Sequence, residues 1–465
     1  MQASNLPVPD DLPPAESPTA ARYPMAASAA LLGEMRGYVI ADHFPFVLDV
    51  ARGEGMWLAT VDGERLFDWA GYYGSKWIGH NHPRLFEPDY LRLLSFAANN
   101  KLANPDFLTP ECLAYYREIH GLTPACMRRP GVEVYVVNSG AEAIENMMKY
   151  LINLHDRDKG GGKGARRFIY FDQAFHGRTI FALNVTELSH APVITKDFHG
   201  LVHGNIQIPF PAIDADDSAA ANRARTAEAL ALVEKALRAH AGEIVGMIVE
   251  PLQGAGGHRM AEKEFFQGLS QLAHDHGVYL GLDEVQTAGG QTGEFFMADQ
   301  LQLPHSPQAI ATGKKFGNGV LYMLESMEDK GVLDSTWGGS LADMVRFCQE
   351  LRIVREEGLV EAAVTTGDHL ALRLHDLQQA FPGLVSNVRG IGLYQGFSLA
   401  TPALKAAVID SALETENLLL LGAGTTSIRL RPNLHVRRED VDLLAEMLNR
   451  VIGRVGSRHE VPVQP

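Results

Sequence analysis

From about residue 130 to about 315 the chain alternates two hydrophobic patterns. Short runs dense in Val, Ile, Tyr and Phe at 132–137 (VEVYVV), 167–171 (RFIYF), 244–249 (IVGMIV), 278–282 (VYLGL) and 308–312 (QAIAT) predict strands. Between them, 141–154, 227–240 and 261–276 carry apolar residues at helical spacing. Strands that alternate with helices predict an α/β domain, with a mostly parallel sheet between helix layers. Four of the five runs end directly on polar or Gly-rich sequence: NSG, FDQAFHGR, EPLQG and DEVQT. Ligands of open α/β sheets bind at the carboxyl ends of strands, so several strand ends are expected to feed one site.

After about residue 341 the pattern changes. A long helical stretch runs to about 379, a β-like part covers 384–399 (LVSNVRGIGLYQGFSL), and a last helix starts near 439. Together with 38–69, this predicts a smaller α+β domain built from both chain ends. The expected divisions are a loose tail over 1–25, the first part of the small domain over 26–75, a large domain over 76–344 and the rest of the small domain over 345–465. The tail is rich in Pro, Ala and Asp, and an arm of that kind could drape over a partner subunit. The piece 159–164 (KGGGKG) lacks P-loop spacing and reads as a solvated loop.

Composition narrows the function classes. A hydrophobic fraction of 46% excludes wholesale disorder. Lys plus Arg total 41 and Asp plus Glu 56, a net charge of −15, which argues against nucleic acid or an anionic membrane as partner. Three widely spaced cysteines, Cys112, Cys126 and Cys348, fit reduced thiols in a cytoplasm. No apolar run approaches the roughly 18–20 residues that span a bilayer, and no apolar core follows a basic start as in a signal peptide.

The strand ends carry the chemistry. In Asn138-Ser139-Gly140-Ala141 a glycine at a strand–helix turn lets the backbone approach an anion, and the free amides of the helix start point at it. Asp283, at the end of VYLGLD, could ligate a metal, cap the next element or pair with a buried cation. Lys314 follows 31 residues later, in Gly313-Lys314-Lys315. Adjacent parallel strands joined by a helix-containing crossover would put both side chains at one sheet edge. A semi-buried lysine has a lowered pKa and is nucleophilic toward an aldehyde, and an aspartate can keep a pyridine nitrogen protonated. A phosphate cradle, Asp283 and Lys314 together suit pyridoxal 5'-phosphate.

Seven stretches extend the pattern: NSGAEAIENMMK, AFHGRT, VEPLQGAGG, LDEVQT with GQTGEFF, GKKFGNG, DSTWGGSLADMVR and IRLRP. Over roughly residues 35–455 they resemble the class III (ω-amino-acid) aminotransferases, which have PLP fold type I with a seven-stranded sheet in the large domain. The block TWGGSLADMVR and the doubled lysine are most similar to the L-lysine 6-aminotransferase subgroup. The resemblance implies Lys314 as the Schiff-base lysine and catalytic base, with Lys315 as its competitor, and Asp283 as the partner of the pyridine nitrogen. It implies Gln286 near the cofactor's 3-oxygen and Ser139, Gly140 and Ala141 around the phosphate. Phe175 would cover the ring, with His176 and Glu250 beside the cofactor. Ser335 and Thr336 would reach the phosphate of the neighbouring subunit in a homodimer with shared active sites. By composition alone Phe175 suits a core and Ser335-Thr336 a helix cap.

For substrate, the resemblance implies Arg178 for a distal carboxylate, Arg429 for the α-carboxylate of 2-oxoglutarate, and Tyr72 and Ala255 at the site. Guanidinium forks suit planar carboxylates. Arg431 shares a strand face with Arg429, so alternation does not separate them. The family usually has a glutamate where this chain has Ala255. The amine donor is therefore expected to be L-lysine or a related ω-amino acid, diamine or amine, and a binding protein without turnover is the rival from another class. His80 and His82, His199 and His203, and His274 and His276 look like metal pairs, but are expected to hold no metal.

Overall fold

The computed structural model describes residues 22–457, apart from 41–42, 103, 105, 160–163, 199–200, 202–203 and 328–329. Most of the expected tail, the centre of KGGGKG and the His199/His203 pair lie outside the described residues. Seven strands form the large sheet: β1 (Glu133–Val137), β2 (Arg167–Phe171), β3 (Ile206–Ile208), β4 (Ile244–Val249), β5 (Tyr279–Asp283), β6 (Ala309–Thr312) and β7 (Gly319–Met323). Their order is β1-β7-β6-β5-β4-β2-β3. β7 pairs antiparallel with both β1 and β6, and every other pairing is parallel. β4 is buried along its whole length, as a strand covered on both faces must be. Helix Gly140–Lys159 packs on the sheet through Ile144, Met147, Leu151 and Leu154, which recur at three- and four-residue spacing.

The five strands expected from the sequence are present within one residue at each end. β3 and β7 were not expected: β3 is only three residues long, and β7 follows directly on the lysine turn. A second difference concerns the link from β5 to β6. Its only helix is one 3-10 turn, Met297–Gln300, rather than an α-helical crossover. Gly289, Gly290 and Gly293 all have positive φ there, which no helix interior tolerates. The strands are parallel neighbours even so, with Ala311 opposite Asp283. That register sets Asp283 and Lys314 at the same edge of the sheet.

The two chain ends meet as expected. Arg65–Asp68 pairs with Trp57–Ala59 on one side and, in parallel, with Leu418–Leu419 on the other. Val385–Ile391, Tyr394–Leu399, Ser427–Leu430 and Leu421–Ala423 form a four-stranded sheet in that order. The long helical stretch is two helices, Leu341–Glu356 and Leu359–Ala380, broken by Gly358 with φ +60°. The division expected at 344/345 falls within the first of them. Among the described residues no helix is long and apolar enough to cross a membrane.

Gly319 opens β7 against the turn at Ser139, where a Cβ would overlap the Ser139 carbonyl oxygen. That carbonyl accepts the Ala143 amide at the start of the helix, so it cannot move freely. Gly319→Ala is expected to lose about 1–3 kcal/mol of stability in denaturant unfolding of the cofactor-free protein. A loss below about 0.5 kcal/mol would show that the turn yields.

Candidate active site

The carboxyl ends of β1, β2, β4, β5 and β6 line one cavity of about 550 Å³. Each strand end contributes: Gly140 and Ala141, Phe175 to Arg178, Glu250 and Ala255, Asp283 with Val285 and Gln286, and Lys314. Arg429 enters from the small sheet and Tyr73 from the N-terminal segment.

Lys314 occupies left-handed backbone, φ +49°, a costly conformation for a residue with a side chain. Its Nζ donates to Tyr73 O at 3.0 Å, and Tyr73 and Tyr72 are left-handed too, at φ +61° and +48°. Burial pulls the Lys314 pKa down to about 8, helped by the positive charges of Arg429 and Arg431. Lys315 is buried away from the cavity, donates to Gln286 O, and sits 5.2 Å from the Tyr394 ring centroid. The two lysines are thus separated by direction: Lys314 faces the cavity and Lys315 the core.

Asp283 is buried, with Oδ2 2.7 Å from His176 Nδ1 and Oδ1 accepting from Val285 N at 2.9 Å. Burial would lower the His176 pKa, but the Asp283 hydrogen bond and the charges of Asp283 and Glu250 outweigh it and raise it. Glu250 Oε1 accepts the Phe175 amide at 2.9 Å, and burial pushes its pKa up to about 7. Ser139 Oγ accepts the Glu142 amide at 3.2 Å and so caps the helix that starts at Gly140. A Cβ on Gly140 would lie 2.7 Å from Val285 Cγ1, so only glycine fits that turn. A half-neutral amine, a fixed carboxylate, a glycine turn at a helix start and a buried His176 Nε2 without a partner together fit pyridoxal phosphate.

The two arginines that the sequence left together are resolved. Arg429 lines the cavity, its Nε has no partner, and no carboxylate among the described residues pairs with it. Burial lowers its pKa. Arg431 is fully buried and committed elsewhere: Nε donates to Gln286 Oε1 at 3.1 Å, Nη1 to Leu430 O at 2.8 Å, and Nη2 lies 2.8 Å from His258 Nδ1. Arg178 is exposed at the cavity wall, 5.9 Å from the Phe175 ring centroid. Ala255 also lines the cavity, where its side chain offers no charge.

Four expected residues lie off this cavity, Ser139 among them, whose hydroxyl caps the helix at Gly140. Tyr72 is 39% exposed and packs edge-on against His80, so Tyr73 takes the place expected of it. Adjacent tyrosines in left-handed turns follow no periodicity that sequence could read. Ser335 and Thr336 do not line this chain's cavity; Ser335 Oγ accepts from Asn138 Nδ2 at 3.0 Å, and Thr336 is exposed. His190 was missed; it lines the cavity, and burial with the nearby Lys405 and Arg429 lowers its pKa. Nothing in the spacing around it signals the site.

Of the described histidines in those pairs, His80 and His274 have other neighbours. His80 Nε2 lies 3.0 Å from Asp68 Oδ2, and His274 stacks on His305 at 3.8 Å. Among the described residues His82, Glu357 and His435 could hold an ion by distance. Yet Nδ1 of His82 accepts the Arg84 amide and Nδ1 of His435 the Gly79 amide, so each Nε2 carries the proton and faces Glu357. Protonated Nε2 atoms cannot ligate a metal.

Lys314→Ala is expected to abolish borohydride-trapped capture of pyridoxal phosphate, read by intact mass, while Lys315→Ala retains it. The reverse result would move the assignment by one residue. Because only the neutral amine attacks, capture by the cofactor-free protein should quicken about tenfold per pH unit below about pH 8 and level off above it.

Residues 38–452 match the aminotransferase class-III family. The L-lysine-epsilon aminotransferase of Amycolatopsis lactamdurans is 30% identical over 92% of this chain and 97% of its own. That of Mycobacterium tuberculosis is 32% identical over 87% and 91%, and the acetylornithine aminotransferase of Gloeobacter violaceus 31% over 90% and 96%. The solved lysine aminotransferase from M. tuberculosis superposes with a TM-score of 0.85, at 29% identity, over 92% of this chain and 99% of that one. The chain belongs to the class-III aminotransferases and is a pyridoxal-phosphate-dependent enzyme of fold type I.

Proposed function

We propose that the enzyme moves the 6-amino group of L-lysine to 2-oxoglutarate, giving glutamate and the semialdehyde, which cyclises. The observation that carries this is the pair of guanidinium groups, Arg178 at the exposed wall and Arg429 at the buried end, that face the cavity of Lys314 with no carboxylate paired to either among the described residues. Both substrates bring carboxylates: lysine at the end remote from the reacting amine, 2-oxoglutarate at both ends. Similarity to the lysine enzymes of Amycolatopsis and Mycobacterium supports the donor.

Pyridoxal phosphate supplies an aldehyde for the amino group and a ring that accepts the electron pair of a broken C–H bond. Lys314, with its pKa drawn down to about 8, can both release and take up a proton at Nζ near neutrality. Asp283 is fixed at the strand end through both oxygens, by His176 Nδ1 and Val285 N. Arg429 orients a carboxylate at the reacting end, and Arg178 one at the far end. The lining around Phe175, Leu188 and Ile194 excludes water and strengthens these charges.

The same proposal includes a cytoplasmic homodimer with shared sites. Exposed Thr336 and Trp337, the exposed side chains of Phe107 and Leu108, and the tether of Ser335 to Asn138 next to the phosphate turn support it.

Ala255 favours one alternative, a donor with a carboxylate beside its amine that Arg429 holds in both half-reactions. Lysine presents no charge to Arg429 at its reacting end, and an unpaired buried guanidinium is costly. Ala255→Glu is therefore expected to improve the lysine half-reaction relative to the glutamate half-reaction by about 1–3 kcal/mol in single-turnover kinetics. An unchanged ratio means that another group balances Arg429. A change in the opposite direction would replace lysine by a donor of the alternative kind.

A further inference from the structure

We propose that Arg431 is a positioning residue, which decides which end of the Gln286 amide faces the cofactor, while Tyr394 and Lys315 hold the Gln286 main chain. The proposal rests on the assignment of Gln286 to the cofactor's phenolic oxygen. A glutamine amide has an acceptor end and a donor end of nearly equal shape, and only its neighbours decide between them. Arginine has donors and no acceptor. With Arg431 Nε 3.1 Å from the Gln286 amide, the end that faces it must be Oε1. The NH2 end is thereby turned the other way, toward Tyr73 O at 3.5 Å, the same carbonyl that accepts Lys314 Nζ.

Arg431 is itself immobilised. Nη1 donates to Leu430 O and Nη2 reaches His258 Nδ1, both at 2.8 Å. His258 accepts because burial, and then the charges of Arg431, Arg389 and Arg429, hold it well below its usual pKa and so neutral. The guanidinium lies 4.3 Å from the Tyr394 ring centroid, within cation–π range, and Lys315 Nζ lies 5.2 Å from it. Both Tyr394 Oη, at 3.1 Å, and Lys315 Nζ donate to the main-chain oxygen of Gln286. Gln286 is thus held at its backbone by Lys315 and Tyr394 and at its side chain by Arg431. Neither Lys315 nor Arg431 lines the cavity. This gives the second lysine of Gly-Lys-Lys and the second arginine of IRLRP a joint role.

An N–H donated to a phenolic oxygen stabilises its negative charge and makes the proton shared across the loaded chromophore easier to lose. If the amide turns over, Oε1 faces that oxygen and the proton is held more tightly. The readout is the pH titration of the long-wavelength absorbance band of the holoenzyme in wild type, Arg431→Met, Gln286→Ala and the double variant. Arg431→Met should raise the apparent pKa by about one unit. Removing the charge of Arg431 also raises it, but that part persists without Gln286. The shift should therefore fall to less than about half in the Gln286→Ala background. Equal shifts in both backgrounds, or none in either, overturn the proposal. If Gln286→Ala itself leaves the titration unchanged, the underlying assignment of Gln286 fails and the proposal with it. Should Arg431→Met not fold, Arg431→Gln serves in the same cycle, because its amide can present either a donor or an acceptor to Gln286 and so no longer fixes which end faces it. It must raise the pKa more in the wild-type background than in Gln286→Ala.

Discussion

Four basic side chains, Lys314, Lys315, Arg429 and Arg431, are crowded into one buried region whose nearby carboxylates are Asp283, Glu250 and Glu284. Burying charge is costly unless each group finds hydrogen-bond partners. Three of the four find them in carbonyl oxygens and the Tyr394 ring: Lys314 at Tyr73, Lys315 at Gln286, Arg431 at Leu430. Arg429 finds no such partner for its Nε among the described residues. Burial and the neighbouring charges of Arg429 and Arg431 together lower the Lys314 pKa.

Glu284 shows how the arrangement is tied to the fold. It is fully buried beside Asp283 and accepts from Thr287 Oγ1, Met297 N and Ala298 N, which ties the loop after β5 down. Burial pushes its pKa up to about 7. The loop carries Gln286 and closes into β6, whose end carries Lys314. Strain is concentrated at the same place, since Lys314, Tyr72 and Tyr73 all hold left-handed backbone. Such strain persists only where the surroundings over-determine it.

What sequence could reveal here follows from where periodicity survives. Strands β1, β2, β4, β5 and β6 are uninterrupted apolar runs, so their ends, and the residues on them, were legible. Lys314, Asp283, Phe175, His176 and Glu250 all come together as their positions at strand ends require. The loop between β5 and β6 was misread as helical because the βαβ rule was applied where Gly289, Gly290 and Gly293 turn the chain the other way. Tyr73 was displaced to Tyr72 because a left-handed turn erases the side-chain period. Arg429 and Arg431, two apart on a strand, share a face in any sequence argument. Only the packing of Tyr394 and His258 against Arg431 separates them. His190 comes from a loop whose position depends on the whole fold.

The most direct test follows the absorbance of the protein loaded with pyridoxal phosphate, through one cycle of donor and acceptor. The account predicts a band at ~410–420 nm that L-lysine removes in the absence of an acceptor and that 2-oxoglutarate then restores. A band that L-lysine leaves unchanged would contradict it.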